Sequence, residues 1–391
     1  MQSRLMGSIE EGKSPSSPFR PNPTPALARL LPLRLVQVIL MCFIMGLGIS
    51  LISLHAMKFL SMKYFAPVEP FIIQSCYQDA LSIESLVRPS AELSHSMNDT
   101  ELLWRASIHP RVKEYPFKRV PKVAFMFLTK GPLPLAPFWE KFFEGGPSEH
   151  YSIYIHSHPA YVANFTPSSV FYKRQIPSRP ADWGRMSMCE AERRLLGNAL
   201  LDFSNEWFVL LSEACIPLQN FTVVYFYLSR SNYSFMSSYD DLGPCGRGRY
   251  DRNMEPEVTL DQWRKGSQWF EINRRLAINI VADVTFYPKF RDFCVPACYV
   301  DEHYFPTMLT IQLPHLLANR TLTWTDWSRG GAHPATFGKE DITEEFLKKI
   351  LESETCTYND QQVSLCFLFA RKFAPSALEP LLELAPKVLG F

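Results

Sequence analysis

The chain has 391 residues, enough for one large core and an anchor besides. Its formal net charge is only +1, with 47% hydrophobic and 20% charged residues. Nothing in that balance builds an extended polyanion-binding surface, so nucleic acid is not expected as a partner.

In chain order, the first segment is not globular. Residues 1–34 are rich in Ser, Pro and Arg and read as a disordered cytosolic tail. From Leu35 to Met57 there follow 23 residues without Lys, Arg, Asp or Glu. A helix of that length crosses a hydrocarbon core of about 30 Å, and it is too long and too far in for a signal-peptide core. Arg29 and Arg34 precede the span and Lys58 and Lys63 follow it, so the basic flanks do not fix orientation. The sequons do. Asn98, Asn164, Asn220, Asn232 and Asn319 all begin Asn-x-Ser/Thr triplets beyond the span, while Asn22 is disqualified by Pro23. Eight of the nine cysteines also lie beyond it, with Cys42 inside. An even set of eight fits disulfides in an oxidising lumen, at least two of them, with Cys294 or Cys298 in one. The reading is a single-pass chain with its N-terminus in the cytosol and its body in the secretory pathway.

Residues 58–118 read as a lumenal stem, interrupted by Pro67, Pro70, Pro89 and Pro110. Its last part, Leu102-Leu103-Trp104, is expected to pack on the domain that follows. That domain, 119–391, opens with the apolar run Lys122–Thr129 of strand length. An aromatic helical stretch follows over Leu135–Phe143, then strands at Tyr151–His156 and Glu206–Ser212. Between these strands, Ala191, Leu195 and Ala199 at fourfold spacing predict a helix over Met188–Leu201. Buried strands alternating with helices indicate an α/β domain with a parallel or mixed sheet. A basic helix is expected from about Glu271, and two helices over Phe346–Leu351 and Leu365–Leu389. No internal repeat is visible.

Several constellations invite a chemical reading. The glycines of Asp240–Arg252 lack dinucleotide or phosphate-loop spacing, and Asp240-Asp241 are adjacent rather than Asp-x-Asp. His156 and His158, where a strand becomes a turn, read as a solvated loop end rather than metal ligands. Cys294 and Cys298 are four apart with no second metal-type pair, which favours disulfides. Glu213 follows a buried strand, where α/β folds hold ligands. Arg371-Lys372 sits in an apolar run and reads either as a snorkelling pair at a helix end or as a clamp for a phosphate leaving group. Asp301-Glu302-His303 is an exposed acidic loop on the bland reading and a general-base segment on the functional one.

Asp301-Glu302-His303 followed by Leu365-Cys-Phe-Leu-Phe-Ala-Arg-Lys-Phe373 resembles the core-2/I-branching β-1,6-N-acetylglucosaminyltransferases. The plant branch, the brittle-culm type, resembles the chain most: Leu102–Ala106, Trp183–Arg185, Trp263–Trp269, Trp324–Gly330 and His333-Pro334 match it too. The resemblance implies a GT-A type lumenal domain, a Rossmann-like mixed sheet flanked by helices, held in the Golgi membrane as a type II protein. It further implies an inverting transferase that moves a sugar, by the family's example N-acetylglucosamine, from a UDP-sugar to a glycan on a glycoprotein or cell-wall polymer. In that frame Glu302 is the catalytic base, Lys372 holds the diphosphate, and an upstream arginine shared with it maps to Arg329. Arg371, Asp301, Glu213 and Trp269 complete the substrate-contact candidates. His156-Ser157-His158 stands where the animal enzymes carry an aspartate at the uridine. With no Asp-x-Asp but an Arg-Lys pair, metal-independent transfer without a cofactor is expected. Glucuronosyl or xylosyl transfer is the alternative chemistry, and a membrane-anchored glycan-binding protein without catalysis the alternative class. A silent relative has no chemical reason to hold both Glu302 and Lys372.

Overall fold

The computed structural model describes residues 33–64, 93–108, 114–295 and 298–391, in two compact units, 1–78 and 79–391. Nearly all of the expected tail and most of the expected stem, 65–92 and 109–113, lie outside the described residues; stem residues 58–64 continue the helix of the expected span. In the first unit, helix α1 runs Leu33–Tyr64, and its Leu33–Lys58 portion is long and apolar enough to cross a membrane. It carries no polar stripe. A helix apolar on every side needs an apolar solvent on every side.

The second unit begins its described part with α2, Asp99–Ala106, capped by a reciprocal Asn98–Glu101 capping box. The Arg194 guanidinium grips the Asp99 carboxylate through two hydrogen bonds of 2.6 and 2.8 Å, and Leu102 is buried, so this segment packs on the domain as expected, except that Trp104 is 70% exposed on the outer face of its helix. The main sheet has strand order β2-β1-β3-β5. Its members are β1 (Lys122–Leu128), β2 (Tyr151–His156), β3 (Asn205–Ser212) and β5 (Glu271–Asn273). The first three are mutually parallel and β5 is antiparallel, so the expected mixed sheet is present. β1, at the centre, is buried on both faces, which is why it reads as a continuous apolar run.

On one face lies α4, Met186–Leu200, at the place the fourfold spacing predicts. On the other face α3 (Ala136–Glu144) and α5 (Phe221–Ser229) bring rings against Phe125. Phe142, Phe143, Trp139 and Phe221 all lie within 6.4 Å of it, centroid to centroid. Burying one such side chain stabilises by about 1.5–3 kcal/mol.

A second sheet joins β4 (Ile216–Pro217), β9 (Phe369–Arg371) and β6 (Thr323–Thr325), in the order β4-β9-β6. The expected helix over Leu365–Leu389 is therefore wrong in its first half. A short apolar run fits strand and helix equally, and here Phe369 and Ala370 pair with β4 and β6 while Phe369 enters the ring cluster beside Trp139. Helix resumes only at α10, Leu378–Leu384. The basic helix likewise starts late: Glu271 is in β5, and α6 begins at Arg274 because the Asn273 side chain caps it. The remaining helices are α7 (Phe286–Phe293), α8 (Val300–Gln312) and α9 (Glu344–Leu351). The hairpin of β7 (Cys356–Tyr358) and β8 (Gln361–Val363) turns through Asn359 and Asp360, both at positive φ.

Among the described residues two disulfides are present, Cys294–Cys298 just before α8 and Cys356–Cys366 across the base of the hairpin. Cys189, Cys215 and Cys245 are free thiols, so the expectation that all eight downstream cysteines suit bridges fails for these three; Cys76 lies outside the described residues. Burial explains two of them, since Cys189 and Cys215 are fully enclosed in the core. Of the sequons, Asn98 and Asn220 cap α2 and α5, Asn164 and Asn232 are exposed, and Asn319 is exposed at φ 53.

Candidate active site

Parallel strands end together, and the ends of β1, β2 and β3 form the floor of a cavity of about 580 Å³. Thr129, His156 and Glu213 line it, each at or just past a strand end, where open α/β sheets hold ligands. Arg371 closes β9 and reaches the same cavity with its guanidinium 4.1 Å over the Trp269 ring. Its Nε is buried and unpartnered. Burial pulls its pKa down, opposed by Cys215, Glu213 and Asp301, and an arginine so placed stays charged. Lys372 lines the cavity beside it, anchored by its backbone carbonyl, which accepts from the Phe337 N–H at 2.9 Å.

Glu302 comes from the first turn of α8, where the helix N-terminus favours a carboxylate. Its Oε2 accepts from Lys265 Nζ at 2.6 Å and lies 3.6 Å from Arg249 Nη1. Oε1 makes no hydrogen bond among the described residues. The segment Trp263–Trp269 is strapped onto α8: the Gly266 N–H donates to the Glu302 carbonyl at 2.8 Å, and His303 Nδ1 meets the Arg264 carbonyl at 2.8 Å. Gly266 is required there, because a Cβ would come within 2.0 Å of the Ser237 carbonyl oxygen. His303 is fully buried and stacked on Trp263, and burial pushes its pKa down to about 4. It locks the strap and does not face the base.

Asp301 is also buried, and burial together with the Glu302 charge raises its pKa to about 7. Behind it, Glu192 is pushed well above the carboxylate range by burial and then by Asp301; its Oε1 accepts from Gln268 at 2.8 Å. Asp301 Oδ1 and Glu192 Oε2 are both buried without a partner. The acidic triplet is thus neither an exposed loop nor uniformly acidic.

A second, larger cavity of about 890 Å³ lies across Glu302, walled by Tyr239, Tyr299, Trp324 and the cations Arg249, Lys265 and Arg320. Glu302, Gln268, Trp183, Trp327 and Ala332 border both cavities. One carboxylate therefore faces two compartments, one at the strand ends where Arg371 and Lys372 stand among carboxylates, and one walled by aromatic rings and the cations Arg249, Lys265 and Arg320. The family model of the core-2/I-branching enzymes matches residues 123–351, more than half of the chain. The chain belongs to the core-2/I-branching enzyme family. It is also 36% identical over 309 residues, 68% of its own length and 76% of the relative's, to Glycosyltransferase BC10 of Oryza sativa subsp. japonica. As a core-2/I-branching protein with that relative, the chain is a glycosyltransferase.

Within this family member, Glu302, Asp301, Lys372, Arg371, Glu213 and Trp269 meet in one cavity although up to 159 positions apart. Arg329 does not join them. It is exposed, its guanidinium 5.8 Å over the Phe337 ring, and it lines neither cavity. His156 is not a solvated loop end: it is 1% exposed, covered by the chain at Arg174–Arg179, and burial lowers its pKa to about 4. Arg371 is not at a helix end but at a strand end. Sequence reading missed Lys265 and Arg249, the partners of Glu302. Lys265 lies inside the Trp263–Trp269 stretch; Arg249 lies in a Gly- and Arg-rich loop whose composition carries no such signal. Asp240 is consumed by Arg247 at 2.8 and 2.7 Å, and among the described residues no group of three or more His, Cys, Asp or Glu is placed to hold a metal.

Proposed function

We propose that the chain is an inverting glycosyltransferase of GT-A type. The donor is a UDP-sugar, N-acetylglucosamine by the family's example, and the acceptor a glycan on a glycoprotein or a cell-wall polymer. The observation that carries this reading is the position of Glu302. It stands between a compartment holding Arg371 and Lys372 and a compartment walled by aromatic rings, with Oε2 fixed by Lys265 and Oε1 open.

In this reading the diphosphate lies in the strand-end cavity, held by Arg371 as a fork and Lys372 as a point charge. The acceptor hydroxyl approaches Glu302 from the larger cavity. Glu302 takes its proton as the oxygen attacks the anomeric carbon from the face opposite the departing UDP, and configuration inverts. The two cations stabilise charge growing on the leaving diphosphate, which is the office a metal fills elsewhere, so transfer proceeds in the presence of chelator. The helix α1 anchors the protein as a type II chain in the Golgi membrane, with the sequons lumenal.

A glucuronosyl donor is the second reading, favoured by Lys130 and Arg179 in the lining of the strand-end cavity. Incubating the purified chain with a panel of UDP-sugars, with and without EDTA, tests the proposal. Transfer or slow hydrolysis of one UDP-sugar, undiminished by EDTA, supports it. No turnover or binding of any UDP-sugar sinks it, and activity that needs added manganese sinks the metal-independent half.

A further inference from the structure

Two cations share a single oxygen of Glu302. Lys265 is in contact with Oε2 at 2.6 Å, but Arg249 Nη1 is 3.6 Å away, beyond hydrogen-bond distance, and is buried without a partner. The Arg249 guanidinium carbon sits 4.2 Å from the centre of the Tyr299 ring, and Tyr299 in turn packs against Trp183 at 4.9 Å. Nη1 is thus turned inward to Glu302, while the rest of the side chain, 21% exposed, stands in the wall of the larger cavity.

A neutral sugar seated on the aromatic wall leaves the charges of Arg249 and Lys265 opposed only by the single charge of Glu302 beside them. A carboxylate would meet the exposed part of the guanidinium with a charge-assisted bond. Of the charged groups lining this cavity, Arg249, Lys265 and Arg320 outnumber Glu302 and Glu354, so an added anion improves the balance.

We infer that the larger cavity selects an acceptor glycan bearing a uronic acid, whose carboxylate is taken by Arg249 next to the hydroxyl that Glu302 deprotonates. This rests on the donor and acceptor compartments proposed above. Arg249 acts here as a specificity-determining residue.

The test uses the full chain in detergent. Galacturonate- and glucuronate-bearing tetrasaccharides are titrated against their carboxyl-reduced and sulfated counterparts, following tryptophan fluorescence. The acidic sugars should bind about tenfold or more tighter than the reduced ones, as charged hydrogen bonds allow. The preference should vanish in Arg249→Gln and persist in Arg249→Lys, with the melting temperature of each variant showing that it is folded. Equal affinity for every acid and reduced pair overturns the inference, as does a preference that survives in folded Arg249→Gln. Tighter binding of the sulfated sugars overturns it as well, since the site would then be a sulfate site. UDP binding, measured in the same preparation, separates the two levels. UDP that binds and depends on Lys372 while no acid preference appears overturns only this inference; UDP that does not bind overturns the donor compartment.

Discussion

The two compartments that meet at Glu302 are made in different ways. The strand-end cavity is a by-product of topology: β1, β2 and β3 stop in register, and β9 delivers Arg371 and Lys372 to the same level. The larger cavity is made of connecting segments, from Ser237 to Gln268 and from Asn319 to Ala332, folded over α8 and β6. A scaffold-built site suits the step every substrate shares, departure of the nucleotide. A loop-built site suits what differs between relatives, the acceptor. Glu302 belongs to both, and its backbone is held from the loop side by Gly266.

The sharpest way to break this division is at its boundary. Glu302→Gln keeps size and hydrogen-bonding groups but cannot take a proton, so transfer should fall about 10²–10⁴-fold. UDP and acceptor affinities, measured by calorimetry, should hardly change. If Glu302→Gln instead weakens nucleotide binding, the residue belongs to the donor compartment alone. Next in size is Lys372→Ala, which removes a charged contact and should weaken UDP binding about tenfold to a hundredfold. Acceptor affinity should stay where it was; a parallel loss would mean the compartments are not separate. The mirror experiment is Tyr239→Ala. Tyr239 is 49% exposed and lines only the larger cavity, so acceptor binding should weaken about threefold to tenfold with UDP binding intact.

A separate effect is on stability rather than on binding or turnover. Asp301 has a folded pKa near 7 against an ordinary 3.8. The folded chain keeps this proton where the unfolded chain loses it, so stability falls as pH rises from about 4 to about 7. Each retained proton gives a slope of about 1.4 kcal/mol per pH unit. Asp301→Asn should remove one such slope in denaturant titrations, leaving the slopes of the same sign from Glu192 and from Glu271, whose pKa burial raises to about 8. Equal slopes in the wild type and in folded Asp301→Asn across that window would show Asp301 ionised and the boundary more acidic.

Much of this was readable beforehand where one physical pattern dominates. The apolar runs at Lys122–Leu128 and Glu206–Ser212 are strands because buried parallel strands have no polar face. The long apolar helix α1 and the helix at Met186–Leu200 stood out through their own apolar patterns, and the acidic triplet through its charge in an apolar setting. What was hidden depends on contacts distant in sequence. Phe369–Arg371 is a strand only because β4 and β6 flank it, and its sequence alone fits a helix as well. Arg249 reaches Glu302 across more than fifty positions, and nothing local marks it. Arg329 failed in the opposite sense: a motif match proposed it, and the fold stacks it on Phe337 outside both cavities.

The most direct test of the central claim is a crystal structure of the Glu302→Gln protein soaked with UDP and an acceptor oligosaccharide. The account predicts the diphosphate against Arg371 and Lys372 at the strand ends. It places the acceptor ring among Tyr239, Tyr299 and Trp324, with a hydroxyl within hydrogen-bond distance of the side chain at position 302. UDP found in the larger cavity, or an acceptor bound away from position 302, would contradict it.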